Sequence, residues 1–340
     1  MCEKSSRTSL IKSFKNVPGI KLSFFKGKKI LVTGGAGFLG EPVIRKLVGW
    51  GADPGNIFVP QFPEYDLRRP EACSKVAAGQ DIVIHLAANA GGIGWNRAHP
   101  GSLFFDNAAM GIHLMEEARK AGAQKFVQIG TVCAYPFLPP RIPFKEDDLW
   151  EGYPEPTNAP YGIAKKMLMV MGQAYRAEYG FSVIYLLPVN LYGPRDHFFE
   201  PEKSHVIPAL IQKFVEARES GAAQVEVWGS GFYQGVPVSR EFLYVEDAAE
   251  GIVLATERYD KPEPVNIGAG REIAINDLIE LIRRLTGFTG KIVRDLTRPD
   301  GQPRRFLDTT RAREEFGFVA QTSFEEGLRK TIEWYKQHRK

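Results

Sequence analysis

Residues 29–40, Lys-Ile-Leu-Val-Thr-Gly-Gly-Ala-Gly-Phe-Leu-Gly, decide the fold of this chain. The apolar run at their start predicts a β-strand, and residues 42–50 continue with apolar side chains at helical spacing. Between them, Gly34, Gly37 and Gly40 have Gly-x-x-Gly-x-x-Gly spacing. Glycines in this order permit a tight turn, a close approach of the backbone to a pyrophosphate, and packing of the helix on the strand. The helix N-terminus then offers unpaired N–H groups to phosphates. The stretch predicts a dinucleotide-binding turn rather than an ordinary glycine-rich loop.

The alternation of strands and helices continues along the chain. Further strands are predicted at residues 56–59, 81–88, 125–130 and 182–187, and long helices at residues 103–121 and 158–179. This order predicts an α/β fold of the Rossmann type, a doubly wound parallel sheet that binds ligands at the carboxyl ends of its strands. After residue 188 short strands and helices mix, which predicts a smaller α+β substrate-binding lobe. The expected division is an extension over residues 1–28, a dinucleotide-binding domain over residues 29–188 with later crossover segments, and a lobe mainly over residues 189–340.

The composition indicates a globular cytosolic protein. The 340 residues are 44% hydrophobic, and the net charge of +4 comes without a polybasic block, which argues against a nucleic-acid partner. Cys2, Cys73 and Cys133 are too widely spaced for a disulfide framework or a zinc site, so we expect no metal and a reducing compartment. No run approaches the roughly 20 apolar residues of a membrane span, and the N-terminus lacks the apolar core of a signal peptide. We expect a soluble cytoplasmic protein.

Tyr161 and Lys165 are the first candidate catalytic pair. Pro160 suits the first turn of a helix, and the apolar residues that follow keep helical spacing. Residues four apart share one face of a helix, so the phenol and the ammonium point the same way. A nearby cation lowers the pKa of a tyrosine, which could then give a proton to a carbonyl oxygen or take one from an alcohol. Alone, the spacing is more typical of an amphipathic helix with a surface lysine.

The end of the second predicted strand bears on the choice between NAD and NADP. In many such folds an acidic residue there binds the ribose hydroxyls and favours NAD. Residues 60–63 contain neither an acid nor an arginine, and Asp66 follows slightly later. Arg68 or Arg69 could pair with a 2′-phosphate, although two arginines at the start of a helix are more often solvated. The residues favour NADP mildly and leave NAD open. His85, in the third predicted strand, is expected to be a packed strand residue.

Together the motifs resemble the extended short-chain dehydrogenase/reductase family over about residues 29–335. The glycine turn and the Tyr161–Lys165 spacing are shared by the whole superfamily. Other segments look most like the GDP-L-fucose synthase branch, whose members epimerise GDP-4-keto-6-deoxy-mannose at C3 and C5 and reduce it at C4. These segments are His85-Leu86-Ala87-Ala88, Gly91-Gly92-Ile93, Cys133-Ala134-Tyr135-Pro136, residues 188–194, Ser204-His205-Val206-Ile207-Pro208, residues 227–231, Arg240-Glu241-Phe242-Leu243 and residues 299–304.

The resemblance implies five catalytic residues, which are Thr131, Cys133, Tyr161, Lys165 and His205. Tyr161 would protonate the C4 oxygen, while Lys165 would lower the pKa of that phenol and hold the nicotinamide ribose. Thr131 stands where serine is usual and would hydrogen-bond the carbonyl. Cys133 and His205 would exchange the protons at C3 and C5, since thiols and imidazoles both titrate near neutral pH. Without the resemblance, Cys133 would be a small buried side chain and His205 a solvent-facing residue at a helix start.

The resemblance also implies two sets of binding residues. The cofactor set is Gly34, Gly37, Phe38, Leu39, Gly40, Asp66, Leu67, Leu86, Ala87, Ala88, Ile129, Gly130, Tyr161, Lys165, Pro188, Asn190, Leu191 and His205. The nucleotide-sugar set is Asn190, Lys213, Trp228, Arg240 and Asp300. Lys213 stands where an arginine is usual, so its pairing with a diphosphate would be looser. Without the resemblance, most of the second set would be surface ion pairs or a packed tryptophan.

Three features depart from the family pattern. They are the extension over residues 1–28, a longer loop over residues 230–239 that carries Phe232 and Tyr233, and a glycine turn without the arginine that some members use for NADP. The loop lies near the expected substrate site, so it could change which nucleotide-sugar fits. The family usually pairs two subunits through the helices at residues 103–121 and 158–179, which makes a homodimer the expected assembly.

Several functional alternatives stay open. The nearest is a related nucleotide-sugar epimerase or 4-reductase with another sugar, including heptose or colitose-type substrates. A 4,6-dehydratase is disfavoured, because such enzymes usually place Asp-Glu directly after the Thr131 position, where Val132 and Cys133 stand. A non-catalytic dinucleotide-binding regulator predicts a broken catalytic set, whereas Thr131, Tyr161 and Lys165 are all present.

Overall fold

The computed structural model describes residues 24–200, 202–297 and 302–339. Within these ranges the strands are β1 (Ile30–Thr33), β2 (Ile57–Phe58), β3 (Ile82–His85), β4 (Lys125–Ile129), β5 (Ser182–Pro188), β6 (Asn190–Tyr192), β7 (Gln224–Trp228), β8 (Phe232–Tyr233), β9 (Val236–Pro237), β10 (Ser239–Tyr244), β11 (Val265–Ile267), β12 (Glu272–Ala274), β13 (Lys291–Asp295) and β14 (Arg304–Arg305). The helices are α1 (Gly40–Gly49), α2 (Pro70–Ala77), α3 (Ile93–Ala98), α4 (Pro100–Lys120), α5 (Ala159–Tyr179), α6 (Val206–Glu219), α7 (Val245–Arg258), α8 (Ile275–Thr286), α9 (Thr310–Phe316) and α10 (Phe324–His338). Short 3₁₀ turns lie at Pro54–Asn56, Val132–Ala134 and Glu146–Trp150.

Six strands form a parallel sheet in the order β11-β5-β4-β3-β1-β2. Every residue of β1, β3 and β4 is buried, because both faces of a parallel sheet are covered by helices. The strand order reverses between β1 and β3, which is where such sheets bind ligands, beside the carboxyl ends of the strands. The glycine turn that follows β1 lies at this point. The predicted doubly wound fold is confirmed.

Most predicted elements lie within a few residues of their expected positions. The helix that carries Tyr161 ends at Tyr179, as the apolar periodicity indicates. The sixth strand, β11, was not predicted, since three buried residues are too few to show a strand pattern. Strand β2 contains only two residues.

After β5 the chain leaves the large sheet and later returns to it. Helix α7 contributes Ala248 and Ile252 to the same hydrophobic core as Val43 and Leu47 of α1. Strand β11 then pairs with β5 at the edge of the large sheet. The chain therefore crosses back to the large sheet after β5; the domain boundaries given above stay a prediction.

A smaller lobe surrounds a second hydrophobic core, built mainly from α6, α8 and α10. Its sheet has the order β12-β10-β14, with β6 also paired to β10. Glu241 of β10 is fully buried and accepts hydrogen bonds from the N–H groups of Ala269, Gly270 and Leu307, at 2.6, 2.8 and 2.8 Å. This carboxylate ties the small sheet to the segments that follow β11 and β14.

Helices α4 and α5 pack closely against each other on one side of the large sheet. The contact is tight at Gly111, where any Cβ would overlap the side chain of Leu168. In the described part of the chain, none of the helices combines the length and apolar character that crossing a membrane requires.

Candidate active site

The glycine turn joins the end of β1 to the start of α1. Gly34 has a φ of +69°, which glycine adopts without strain, and its carbonyl accepts a hydrogen bond from Gly37 N–H at 3.0 Å. A Cβ on Gly40 would collide with Gly34 O, so the helix begins directly against the turn. The exposed backbone of Ala36 and Gly37 therefore lies close to the helix N-terminus, where N–H groups collect. This geometry fits the pyrophosphate of a dinucleotide.

The end of β3 closes the crevice beside this turn. Ala87 N–H donates to Thr33 Oγ1 at 3.2 Å, and a hydrogen bond of 2.8 Å joins the same hydroxyl to His85 Nδ1. His85 is fully buried, as expected for a packed strand residue. Burial and the charge of Lys165 lower the pKa of His85 well below its ordinary value, so its ring is neutral.

The turn after β4 places Thr131 and Cys133 against helix α5. Thr131 Oγ1 accepts a hydrogen bond from Cys133 N–H at 3.1 Å and so caps the 3₁₀ turn. Gly162 lies so close to the turn that a Cβ on it would collide with Cys133 O. A glycine directly after Tyr161 therefore lets the helix bring this phenol to the Thr131–Cys133 turn.

Tyr161 is half-buried and hydrogen-bonded to Thr131. Burial raises the pKa of the phenol above its ordinary value, the charge on Cys133 adds to the rise, and the hydrogen bond with Thr131 opposes it. The expectation that Lys165 lowers the pKa of Tyr161 was therefore wrong, since the net shift of that pKa is upward. Desolvation outweighs the other effects, and residue spacing carries no information about desolvation. The phenol keeps its proton at neutral pH.

Lys165 lies one helical turn further, with its side chain buried. Burial lowers the pKa of Lys165 to about 8. Its backbone carbonyl accepts a hydrogen bond of 2.9 Å from Tyr185 OH of β5. Since its charge acts on His85, the ammonium group lies toward the carboxyl edge of the large sheet.

Cys133 faces two arginines of the smaller lobe. Its Sγ lies 3.6 Å from Arg305 Nη1. Arg305 is buried on β14, in register with Arg240 on β10. Burial lowers the pKa of Arg240 to about 9, the neighbouring Arg305 adds to the effect, and Cys133 opposes it. The thiol thus lies where the two lobes meet.

His205 precedes α6 as its N-cap residue. The residue is exposed to solvent, although enough protein atoms lie around its ring to desolvate it in part. Burial lowers the pKa of His205, while the carboxylate of Asp196 opposes that shift. Asp196 is only 6% exposed, and its Oδ2 has no hydrogen-bond partner in the described part of the chain. Burial raises the pKa of Asp196, and His205 acts in the opposite direction.

The segment after β2 bears on the 2′-phosphate of NADP. Asp66 accepts two hydrogen bonds of 2.8 Å from the guanidinium of Arg68, which lowers the pKa of Asp66. Arg68 also reaches Asp106 at 3.3 Å, so its charge is shared between two carboxylates. Arg69 keeps 77% of its side chain exposed at the start of α2. Arg69 is therefore better placed than Arg68 to meet a phosphate.

The other predicted cofactor residues lie along the carboxyl edge of the large sheet or in β6. They are Phe38 and Leu39 before α1, Leu67 before α2, Leu86 and Ala88 after β3, Ile129 and Gly130 at the end of β4, Pro188 at the end of β5, and Asn190 and Leu191 in β6. Asn190 Nδ2 donates to Glu241 O at 3.0 Å. Their contact with a cofactor stays a prediction.

The predicted nucleotide-sugar residues fall into two groups. Lys213 Nζ donates to Glu226 O at 3.0 Å and lies 5.7 Å from the ring of Trp228, whose side chain is largely exposed. Arg240 lies instead beside Cys133. Asp300 lies outside the described residues. In the 230–239 loop, Tyr233 packs edge-to-face on Phe137, with the ring centroids 6.5 Å apart.

Sequence reasoning missed three residues near these groups, namely Arg195, Asp196 and Arg305. Arg195 has a φ of +70°, unusual for a side chain other than glycine, and it pairs with Glu41 at 2.6 Å. It also reaches Ala36 O at 3.5 Å, so it supplies a guanidinium at a glycine turn that contains no arginine of its own. Arg305 lies 172 residues from Cys133 in sequence, and no motif spacing connects them.

Comparisons with known proteins agree with this geometry. A sequence model of the NAD dependent epimerase/dehydratase family matches residues 30–268. "Probable GDP-L-fucose synthase 1" of Oryza sativa subsp. japonica is 39% identical over 92% of this chain and 93% of its own length. The GDP-L-fucose synthase of Escherichia coli K12 is 33% identical, with 92% and 97% covered. A GDP-L-fucose synthetase from Naegleria fowleri, solved bound to NADP, superposes with a TM-score of 0.81 at 27% identity, covering 95% of this chain and 98% of that one.

Proposed function

The chain belongs to the NAD dependent epimerase/dehydratase family, and on that premise we propose that it converts GDP-4-keto-6-deoxy-D-mannose to GDP-L-fucose. The reaction epimerises C3 and C5 and reduces C4, with NADP(H) as the cofactor. The observation that carries the proposal is the meeting of Tyr161, Thr131 and Cys133 in one contact group, at the same carboxyl edge of the sheet as the glycine turn. A reductase alone needs the phenol, whereas the thiol serves the epimerisation.

The glycine turn and the carboxyl ends of β1, β3 and β4 would hold the cofactor. Gly34 and Gly40 let the turn pack closely on Ala87 and on the start of α1, where helix N–H groups would meet the pyrophosphate, and Arg69 would meet the 2′-phosphate. Lys165 would hydrogen-bond the nicotinamide ribose. When bound, NADPH supplies the hydride for C4.

Tyr161 acts as the proton donor to the C4 oxygen. Burial raises the pKa of this phenol, so it enters the reaction protonated, as a general acid must. The Thr131 hydroxyl can hydrogen-bond the same oxygen. Two donors on the ketone oxygen also stabilise the enolate that forms when a proton leaves C3 or C5. The same pair therefore serves both halves of the reaction.

Cys133 and His205 act as the acid–base pair for epimerisation. One group removes the proton from the carbon next to the ketone, and the other returns a proton to the opposite face of the enolate. Burial lowers the pKa of His205, and the charge of Asp196, a buried neighbour, opposes that shift. We assign Cys133 as the base and His205 as the proton donor.

The substrate's GDP group would lie in the smaller lobe. Arg240 supplies a guanidinium for the diphosphate, and Lys213 and Trp228 offer a cation and an exposed aromatic face. Tyr233 of the 230–239 loop packs on Phe137, in the segment that follows Cys133, so we expect this loop to border the sugar. A nucleotide-sugar with another hexose or a heptose is the nearest alternative substrate.

We place the enzyme in the cytoplasm as a homodimer formed through α4 and α5. These helices expose the large side chains of Phe104, Phe105, Val170 and Tyr179. An exposed apolar face of this kind supports contact with a second subunit. Light scattering should give twice the mass of one chain for the wild type. For Phe105→Glu it should give the mass of a single chain. An unchanged monomeric mass in the wild type would contradict the assembly.

The test of the function is to offer GDP-4-keto-6-deoxy-D-mannose with NADPH, then with NADH, and to identify the product sugar. We expect consumption of NADPH and formation of GDP-L-fucose. GDP-rhamnose as the product would indicate reduction without epimerisation. Absence of turnover, with the cofactor still bound, would support a non-catalytic dinucleotide-binding protein.

A further inference from the structure

The Arg305 side chain is buried deep between the two lobes. Its strand, β14, pairs in parallel with β10, and the bridge places Arg305 opposite Arg240. Arg305 is 8% exposed. The preceding residue, Arg304, is different, because its guanidinium reaches outward and pairs with Glu272. One of two adjacent arginines is therefore neutralised by a carboxylate, and the other is directed toward Cys133.

Gln302 fixes the orientation of the Arg305 guanidinium. Gln302 Oε1 accepts hydrogen bonds from Arg305 Nε at 3.2 Å and from Nη2 at 2.8 Å. Its amide nitrogen donates to Phe137 O at 2.7 Å, which anchors it to the segment that follows Cys133. With Nε and Nη2 held, Nη1 points at Cys133 Sγ, 3.6 Å away.

Among the described residues, the charge of Arg305 has no anionic partner. In the described ranges no carboxylate lies within ion-pair distance of this guanidinium. A buried cation without a counter-ion is costly, whereas one that faces a forming anion stabilises it. A neutral thiol is a weak acceptor, but a thiolate is a full negative charge at the same position. Within the described ranges, Arg240 on β10 and Tyr161 on α5 also interact electrostatically with this sulfur.

We propose that Arg305 is the positioning residue for Cys133, holding the sulfur toward the substrate cleft and supplying the positive charge that its thiolate needs as a base. Gln302 holds Arg305 for this role. The proposal rests on the function assigned above to Cys133. It adds to that function a separate role for each arginine. Arg240 binds the substrate diphosphate, and Arg305 stabilises the thiolate.

The test is the pH dependence of Cys133 alkylation by iodoacetamide, measured by mass spectrometry of the Cys133 peptide in the full chain without substrate. A thiolate, not a thiol, is the reacting species. We expect Arg305→Met to slow alkylation at pH 7 by about tenfold, the effect of losing one charge-assisted hydrogen bond, and to move the half-maximal rate to higher pH. Arg305→Lys keeps the charge but loses the paired hydrogen bonds to Gln302. Its alkylation rate should lie between the rates of the wild type and of Arg305→Met.

Arg304→Met is the matched control, since it removes a neighbouring arginine that pairs with Glu272. It should leave the alkylation profile of Cys133 unchanged. The Cys73 peptide reports folding in the same samples, because this buried thiol donates to Leu67 O and burial raises its pKa to about 12. If Arg305→Met exposes Cys73, Gln302→Leu replaces it, and the same upward shift is expected.

Two results would overturn the proposal. One is an unchanged Cys133 profile in Arg305→Met while Cys73 stays protected. The other is an equal shift in Arg304→Met, which would indicate a general change in surface charge. Neither readout needs catalysis, so a loss of the proposed epimerase activity for another reason leaves this test intact.

Discussion

The region around Tyr161 and the region around Cys133 meet in one cleft but are built in different ways. Tyr161 and Lys165 lie on one continuous 21-residue helix, Ala159–Tyr179, so four residues of sequence fix their spacing. Cys133 lies on a turn after β4, while Arg305 arrives from a two-residue strand near the end of the chain. His205 comes from a third segment, the start of α6.

A site carried by one helix and a site assembled from distant segments depend on the fold in different ways. The reductive pair needs one helix and one glycine contact to the neighbouring turn. Cys133, the proposed base, meets Arg305 only when the smaller lobe docks against the large sheet. We therefore expect substitutions at the helix to affect reduction most, and changes in lobe packing to affect proton exchange first.

Tyr161→Phe tests the helical pair and carries the largest expected effect. Loss of the proton donor should slow NADPH oxidation about a thousandfold, within the range for a general acid, while NADPH binding persists. Stopped-flow absorbance measures the first quantity, and fluorescence titration measures the second. Tyr179→Phe, on the same helix but exposed, is the control. Oxidation of NADPH at the normal rate in Tyr161→Phe would refute its role.

Cys133→Ser tests the assembled group. Because a serine hydroxyl is a far weaker base than a thiolate, deuterium entry at C3 and C5 should slow about a hundredfold, within the same range for proton transfer. Reduction of an already epimerised ketone should change much less. NMR of the sugar in D₂O separates the two. If exchange persists unchanged in the variant, the base is another residue, and Cys73→Ser controls for loss of a buried thiol.

Gly162→Ala tests the junction between the two regions. The added Cβ would collide with Cys133 O, a backbone atom that yields little, so the helix and the turn must separate. We expect both reduction and exchange to fall by about tenfold, the order of a lost hydrogen-bonded geometry. Gly111→Ala meets only the flexible end of Leu168 and should be milder. Equal losses of activity in Gly162→Ala and Gly111→Ala would contradict the expectation that the contact at Cys133 O yields less than the contact at Leu168.

Asp196→Asn tests the proton donor and has the smallest expected effect. Burial lowers the pKa of His205, and the charge of Asp196 raises it, so removing that charge should lower the pKa further. A donor must be protonated, and the rate of deuterium exchange should therefore begin to decline at lower pH in the variant than in the wild type. The pH profile of exchange measures this shift. Identical profiles would exclude Asp196 as the group that tunes His205.

The sequence predicted the parts of this molecule that depend on short-range pattern. The glycine turn, the helix from Ala159 to Tyr179 and the fully buried strands follow from spacing and apolar runs. The raised pKa of Tyr161 did not, because desolvation depends on the three-dimensional packing around the phenol. The roles of Arg305 and Asp196 could not be predicted either, because their partners lie far away in sequence or on another element.

The central claim is that one cleft both exchanges the protons next to the ketone and reduces it. The direct measurement is a reaction of the wild-type enzyme with GDP-4-keto-6-deoxy-D-mannose and NADPH in D₂O, followed by NMR and mass analysis of the product. The account predicts GDP-L-fucose with deuterium at both C3 and C5, formed with one NADPH oxidised per product. A reduced product that keeps its original hydrogens at both carbons would contradict it.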